Sequence, residues 1–217
     1  NGVSLTVGRY GSALGLERED PAGLSTVSRA YGDDFNLGDI DTHGGVEGVT
    51  ISYAAESWSV GVSIENGVGA NLSSNDADFE VAVAFTGVEN LNVGIGFFSD
   101  SEAIATDEVD IFNVHATYQV GKASVGAEYV ELQDSDTAVG DREALSLLVD
   151  YDVSDKLGVA VRYSTYETAA NVDTDRITIA PNYALTESLG AILEYSDVNV
   201  DGGTDRDEIA LELTYTF

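Results

Sequence analysis

The sequence predicts an all-β chain, an antiparallel transmembrane β-barrel with twelve visible strands. Three observations predict it. Apolar and polar residues alternate with a period of two along most of the chain, which is the signature of strands with two different faces. Short connections alternate with longer, acidic ones, so turns gather on one side and loops on the other. Aromatic residues form two rows, one at each end of the apolar stretches. A girdle at each membrane interface requires that placement.

Val3, Leu5 and Val7 form the first strand. The next two are Val49-Ile51-Tyr53 against Thr50 and Ser52, and Trp58-Val60-Val62-Ile64 against Ser59, Ser63 and Glu65. Phe79-Val81-Val83-Phe85 and Leu91-Val93-Ile95-Phe97 follow, then Phe112-Val114-Ala116-Tyr118 and Val125-Ala127-Tyr129. The last third is cleaner still. Leu145-Leu147-Val149-Tyr151, Leu157-Val159-Val161-Tyr163 and Ile177-Ile179-Tyr183 precede Leu189-Ala191-Leu193-Tyr195 and Ile209-Leu211-Leu213-Tyr215-Phe217.

Tyr53, Phe85, Tyr118, Tyr151, Tyr183 and Tyr215 recur every 32 or 33 residues, each just before a short turn or the C-terminus. Phe97, Tyr129, Tyr163 and Tyr195 recur every 32 to 34 residues near the long loops. One hairpin with its two connections sets that period. A soluble sandwich would not need rings at both ends of every strand pair.

If the apolar face meets lipid, the sheet must close, because an open edge leaves backbone groups unpaired in hydrocarbon. The other face then lines a lumen. Glu65, Asp78, Glu80, Glu128, Asp150, Glu194 and Glu212 point into it, with Arg162, Arg176 and His115. The small residues between them predict a wet interior.

The stretch from Gly11 to Gly45 breaks the pattern for 35 residues. A connection this long is functional or disordered. It is expected to fold inward and narrow the lumen. Asp20-Pro21 reads as a helix N-cap and first helical residue, predicting a short helix over Ala22 to Tyr31 that Gly32 stops. Glu17, Glu19, Asp20, Asp33, Asp34, Asp39 and Asp41 are the candidate acidic rim, with Arg162 and Arg176 as candidates for the opposing charge.

The 217 residues are read as one domain, 1–217. No cysteine is present, which excludes disulfides and thiolate metal sites. No methionine is present either, so the sequence as read is expected to be a processed form or part of a longer chain. The net charge of −30 argues against binding nucleic acid. It fits either solubility in a saline habitat or a field that draws cations into a cavity.

Asp197, Asn199, Asp201, Gly202, Asp205 and Glu208 have the spacing of a calcium-binding loop. Their flanks are strands, so an EF-hand is rejected and only a divalent-cation site, Ca2+ for instance, in an exposed hairpin is left. No other cofactor is expected. His43 and His115 are the only histidines, and no motif around His115 supports a hydrolase. The chain is therefore not read as an enzyme.

The opening Asn1-Gly-Val-Ser-Leu-Thr-Val-Gly8, the long loop, Gly44-Gly45-Val46-Glu47-Gly48-Val49-Thr50-Ile51-Ser52-Tyr53 and the terminal Leu213-Thr-Tyr-Thr-Phe217 resemble the bacterial general diffusion porins, especially the alphaproteobacterial type. That family has sixteen strands and an inward constriction loop between the fifth and sixth. In this chain one strand precedes the long loop and eleven follow it. The resemblance thus implies the fifth to sixteenth strands of a sixteen-stranded barrel; the alternative is a closed twelve-stranded one. It also implies an integral outer-membrane protein, a homotrimer, contact with membrane lipid and lipopolysaccharide, and passive diffusion of small hydrophilic solutes. The acids lead to an expected preference for cations. A substrate-specific channel and a barrel enzyme such as a lipase are the alternative functions.

Overall fold

A computed structural model describes residues 2–17, 24–31, 46–66, 77–100, 109–134, 140–168 and 172–217. Among them the regular elements are all strands: β1 (Gly2–Tyr10), β2 (Val46–Ala54), β3 (Trp58–Asn66), β4 (Asp78–Val88), β5 (Leu91–Asp100), β6 (Val109–Val120), β7 (Ala123–Asp134), β8 (Arg142–Asp152), β9 (Leu157–Glu167), β10 (Asp173–Ala184), β11 (Leu189–Val200) and β12 (Arg206–Tyr215). They form one twelve-stranded sheet in chain order. The pairing between β1 and β2, and between β11 and β12, is antiparallel, as it is at every step between.

Register keeps the two faces apart around the sheet. Leu5 lies opposite Ile51, Ile51 opposite Val62 and Val62 opposite Val81. One residue along, Thr6 lies opposite Thr50, Thr50 opposite Ser63 and Ser63 opposite Glu80. A slip of one residue would exchange the faces, so the alternation itself enforces this register.

The burial is the inverse of a soluble protein's. Leu5 is 64% exposed, Ile177 50% and Leu147 47%, whereas Arg162 is 1% exposed and Glu194 2%. Charged residues are rarely buried unless paired, so the polar face must be an organised interior. The apolar face needs a nonpolar solvent. Near the long connections its tyrosines keep a polar hold: the Tyr163 hydroxyl donates to Asp175 at 2.7 Å and the Tyr195 hydroxyl to Asp207 at 2.7 Å. An aromatic ring with one wet end belongs at a membrane interface.

The short connections follow from local chemistry. Asn90, with φ of 64°, closes the two-residue turn between Val88 and Leu91, and Gly121, with φ of 59°, closes that between Val120 and Ala123. The last hairpin is tighter than its acidic sequence predicts, since β11 runs to Val200 and β12 starts at Arg206.

Three expectations change. First, residues 24–31 are not helical. Their backbone groups bond to the sheet instead of to one another, as described below. Second, the polar face is not wet throughout. Leu14, Phe98, Ile111, Val130, Leu132, Ala144 and Tyr166 form a buried apolar cluster on it, with Tyr31 and Val109 packed alongside. Third, a closed twelve-stranded barrel would need β1 bonded to β12, and among the described residues these two are the edges of the sheet.

Candidate functional site

The described parts of the long connection, residues 11–17 and 24–31, lie against the polar face as a strap. Three wall glutamates receive its backbone amides. Glu80 on β4 accepts the Ser12 hydroxyl and, at 2.8 Å, the Ala13 amide. Glu128 on β7 accepts the Leu16 amide at 2.7 Å and the Tyr31 hydroxyl at 3.3 Å, and Asn113 on β6 steadies it from 2.8 Å. Glu194 on β11 accepts the amides of Val27 at 2.7 Å and Ser28 at 3.0 Å. A strap without secondary structure would bury unpaired amides, and these carboxylates remove that penalty.

The wall also donates. Arg162 on β9 reaches Glu17 at 2.7 Å, the Thr26 hydroxyl at 2.8 Å, the Ser28 carbonyl at 2.7 Å, the Ser28 hydroxyl at 2.9 Å and the Arg29 carbonyl at 2.7 Å. Its rigid fork of donors suits a backbone that offers several acceptors at once. Ser164, two residues along β9, donates to the Ala30 carbonyl. Ser25 donates to Asp150 on β8 at 2.7 Å. These bonds explain why no helix forms here: the carbonyls and amides that a helix would pair internally are already engaged by β9 and β11.

Apolar contact fixes the other half of the strap. Leu14 sits against Gly96 so closely that a Cβ there would come within 2.0 Å of Leu14 Cδ2. Tyr31 meets the Tyr166 ring edge-on at 6.3 Å between centroids. Burial, reinforced by the nearby Glu128 and Glu17 carboxylates, pushes the Tyr31 hydroxyl pKa up. The strap therefore spans the polar face from β4 to β11, held by carboxylates at both ends and by an arginine and an apolar cluster between.

The candidate residues divide as follows. Glu17 and Arg162 come together as an ion pair under the strap. Arg162 thus meets an acid from a buried position, where it also holds the strap's backbone. Arg176 on β10 pairs with Glu208 at 2.7 Å and stands 3.6 Å from Glu194. Glu19, Asp20, Asp33, Asp34, Asp39 and Asp41 lie outside the described residues. His115 sits beside Asn113, its Nδ1 at 2.9 Å from the amide oxygen.

The calcium-like spacing does not make a site. Asp197 lies opposite Asp207, and Asn199 donates back to Asp197 at 2.6 Å. Glu208 lies on the opposite face, held by Arg176 and Arg206 at 2.7 Å each. Asp205 closes the turn by accepting the Val200 amide at 3.1 Å, and Asp201 donates its own amide to the Asp173 carbonyl at 2.9 Å. A strand's period of two separates ligands that a calcium loop would gather. Among the described residues no group of three or more histidine, aspartate or glutamate side chains is placed to hold a metal ion.

Sequence reasoning placed Glu80, Glu128 and Glu194 on the inner face but missed that they hold the strap. It also missed the apolar cluster. Beyond the upper tyrosines the alternation inverts: in Val130-Glu131-Leu132 the acid faces outward and the apolar pair inward. That inversion was the available signal.

A family model described as Gram-negative porin matches residues 2–203. No curated protein matches the sequence. Among solved structures, a porin refined at 1.8 Å is 20% identical, with a TM-score of 0.64, covering 81% of this chain and 63% of its own. The trimer form of OmpT, an outer-membrane protein of Vibrio cholerae, is 18% identical, with a TM-score of 0.65, covering 97% of this chain and 76% of its own. OmpF of Salmonella typhi in complex with daunomycin is 17% identical, with a TM-score of 0.63, covering 80% and 62%. This chain thus spans less than two thirds of the 1.8 Å porin.

Proposed function

The chain belongs to the Gram-negative porins, and on that premise we propose that it walls an outer-membrane channel through which small hydrophilic solutes diffuse, with a preference for cations. Its place is in the outer membrane, as an integral β-sheet protein. One observation carries the reading: a sheet with its apolar face outward has a strap bonded across its polar face. A strap over a polar wall narrows a passage and leaves it lined with hydrogen-bonding groups. Water and polar solutes pass such a lining at little desolvation cost.

Residues 11–45 then act as the constriction loop. The edges of β1 and β12 would each leave backbone groups unpaired in hydrocarbon, at several kcal/mol per group. Four further strands would cover them. Twelve strands of sixteen is three quarters, close to the 76% of OmpT that this chain matches. The trimer form of that protein supports a homotrimer here. Lipid and lipopolysaccharide would meet the outward face, with Glu131, Glu143, Asp175 and Asp207 at headgroup height above the tyrosines.

The strap's own contacts supply only a small part of a cation preference. Glu17, Glu80, Glu128, Asp150 and Glu194 stand there against Arg29, Arg162 and Arg176, an excess of two acids. The larger part comes from the rest of the −30 charge, with Asp33, Asp34, Asp39 and Asp41 the proposed contributors on the loop. The test is the reversal potential in a planar bilayer under a KCl gradient. Cation selectivity that falls when these four are changed together to asparagine supports the proposal. Conductance without selectivity removes the cation preference, and no conductance removes the channel.

A further inference from the structure

Beside the strap, on β1, β2 and β3, the polar face holds a second group of buried oxygens, next to the anchor Glu80. Gly48 lies opposite Glu65 across β2 and β3, and Thr50 lies opposite Ser63. The Tyr10 side chain reaches over Gly48, where a Cβ would come within 2.9 Å of its hydroxyl oxygen. Tyr10, Thr50, Ser63 and Glu65 thus face one another at the open end of three strands.

Glu65 is 2% exposed, and among the described residues neither of its carboxylate oxygens receives a hydrogen bond of normal length and angle, although the Ser63 and Tyr10 hydroxyls stand beside it. Tyr10 Oη and Thr50 Oγ1 are buried beside it, again without a hydrogen bond of normal geometry among the described residues. Elsewhere on this wall each buried glutamate, Glu80, Glu128 and Glu194, accepts at least two donors. Glu65 alone among these four lacks a well-formed donor. An ionised carboxylate in such a place needs a compensating positive group. The neighbouring Glu80, opposite Ser63, adds to that need.

We propose that Tyr10, Thr50, Ser63 and Glu65 form a binding site for a monovalent metal cation, sodium or potassium, on the channel wall. The donors are all oxygen, which selects a hard ion. Only one carboxylate offers free oxygens, whereas a calcium site uses several. A proton on Glu65 would add one hydrogen bond, while one ion can be met by all four side chains together. The site deepens the proposed cation preference and rests on that reading for its role in transport, but not for its existence. Its test therefore measures stability and not current.

The measurement is the thermal unfolding midpoint of the detergent-solubilised protein at fixed ionic strength, with choline chloride exchanged for sodium or potassium chloride. Choline is a bulky organic cation whose methylated nitrogen offers oxygen donors no metal-like coordination. The result expected is a midpoint several degrees higher in the metal salts. Glu65→Gln, which keeps the shape, abolishes the shift, and Tyr10→Phe at least halves it. Equal midpoints for the wild type in choline and metal salts overturn the site. A full shift retained in Glu65→Gln also overturns it. A Glu65→Gln protein more stable than wild type in every salt, with no cation dependence in either, assigns a proton to Glu65 and overturns it as well. Reversal potentials remain free to support or remove the channel reading whichever way this result falls.

Discussion

Arg162 holds more of the strap than any other described side chain. Its side chain is fully buried and its bonds run to a carboxylate, two hydroxyls and two carbonyls. Removing one member of a buried ion pair strands its partners, at about 3–5 kcal/mol. Arg162→Ala is therefore expected to lower the unfolding free energy by that amount, read from urea unfolding in detergent. Arg162→Lys keeps the charge but loses the fork, and it is expected to recover only part of the loss. Tyr31 supplies a pH dependence. Its raised pKa means that the folded protein keeps the phenolic proton after the unfolded chain has lost it. The unfolded chain thus binds fewer protons above about pH 10, and stability falls as pH rises from there. Below that pH the contribution is fully present. Tyr31→Phe is expected to flatten this alkaline loss, and stability curves from pH 8 to 12 check it. An identical alkaline slope in the variant would clear Tyr31 of the effect.

At the scale of the element, a strand here is specified by its two faces, and the strap is specified by the walls it touches. That difference decides what the sequence reveals. Leu145, Leu147 and Val149 alternate with Ser146 and Asp150 and are legible as a strand from those residues alone, because register copies the alternation to each neighbour. Asp20-Pro21 is a sound local helix start, yet residues 24–31 are not helical, because Arg162, Ser164 and Glu194 engage their backbone from more than a hundred residues away. No local window contains that information. The aromatic rows were equally readable, and the Tyr163–Asp175 and Tyr195–Asp207 bonds give them a physical basis. A charge placed mid-strand on the outward face tests what that face meets. Leu147→Arg is expected to destabilise the protein by about 2–4 kcal/mol in lipid vesicles, the range for the bilayer midplane. A neutral result would mean that the face at Leu147 is not in hydrocarbon.

For the whole molecule, the sheet supplies a wall, and the strap bonded across it is the proposed aperture. The strap reaches from Glu80 on β4 to Glu194 on β11, so its position is set by strands distant in sequence and adjacent only through the sheet. The acidity that dominates the sequence plays two parts. Some carboxylates are buried fasteners, and the remainder are the proposed source of the field. The candidate rim named from composition mixes the two: Glu17 is a fastener, paired to Arg162 and accepting the Ala30 amide. Charge alone could not separate these parts, because that depends on which backbone amides arrive at which side chain. The most direct test of the strap as aperture is single-channel conductance in a planar bilayer, wild type beside Arg162→Ala, in 1 M KCl, where surface charge is screened. A larger or noisier conductance in the variant is the expected result, since a loosened strap widens the passage. A conductance unchanged in size and noise, in a variant shown by urea unfolding to have lost the Arg162 contacts, would contradict it.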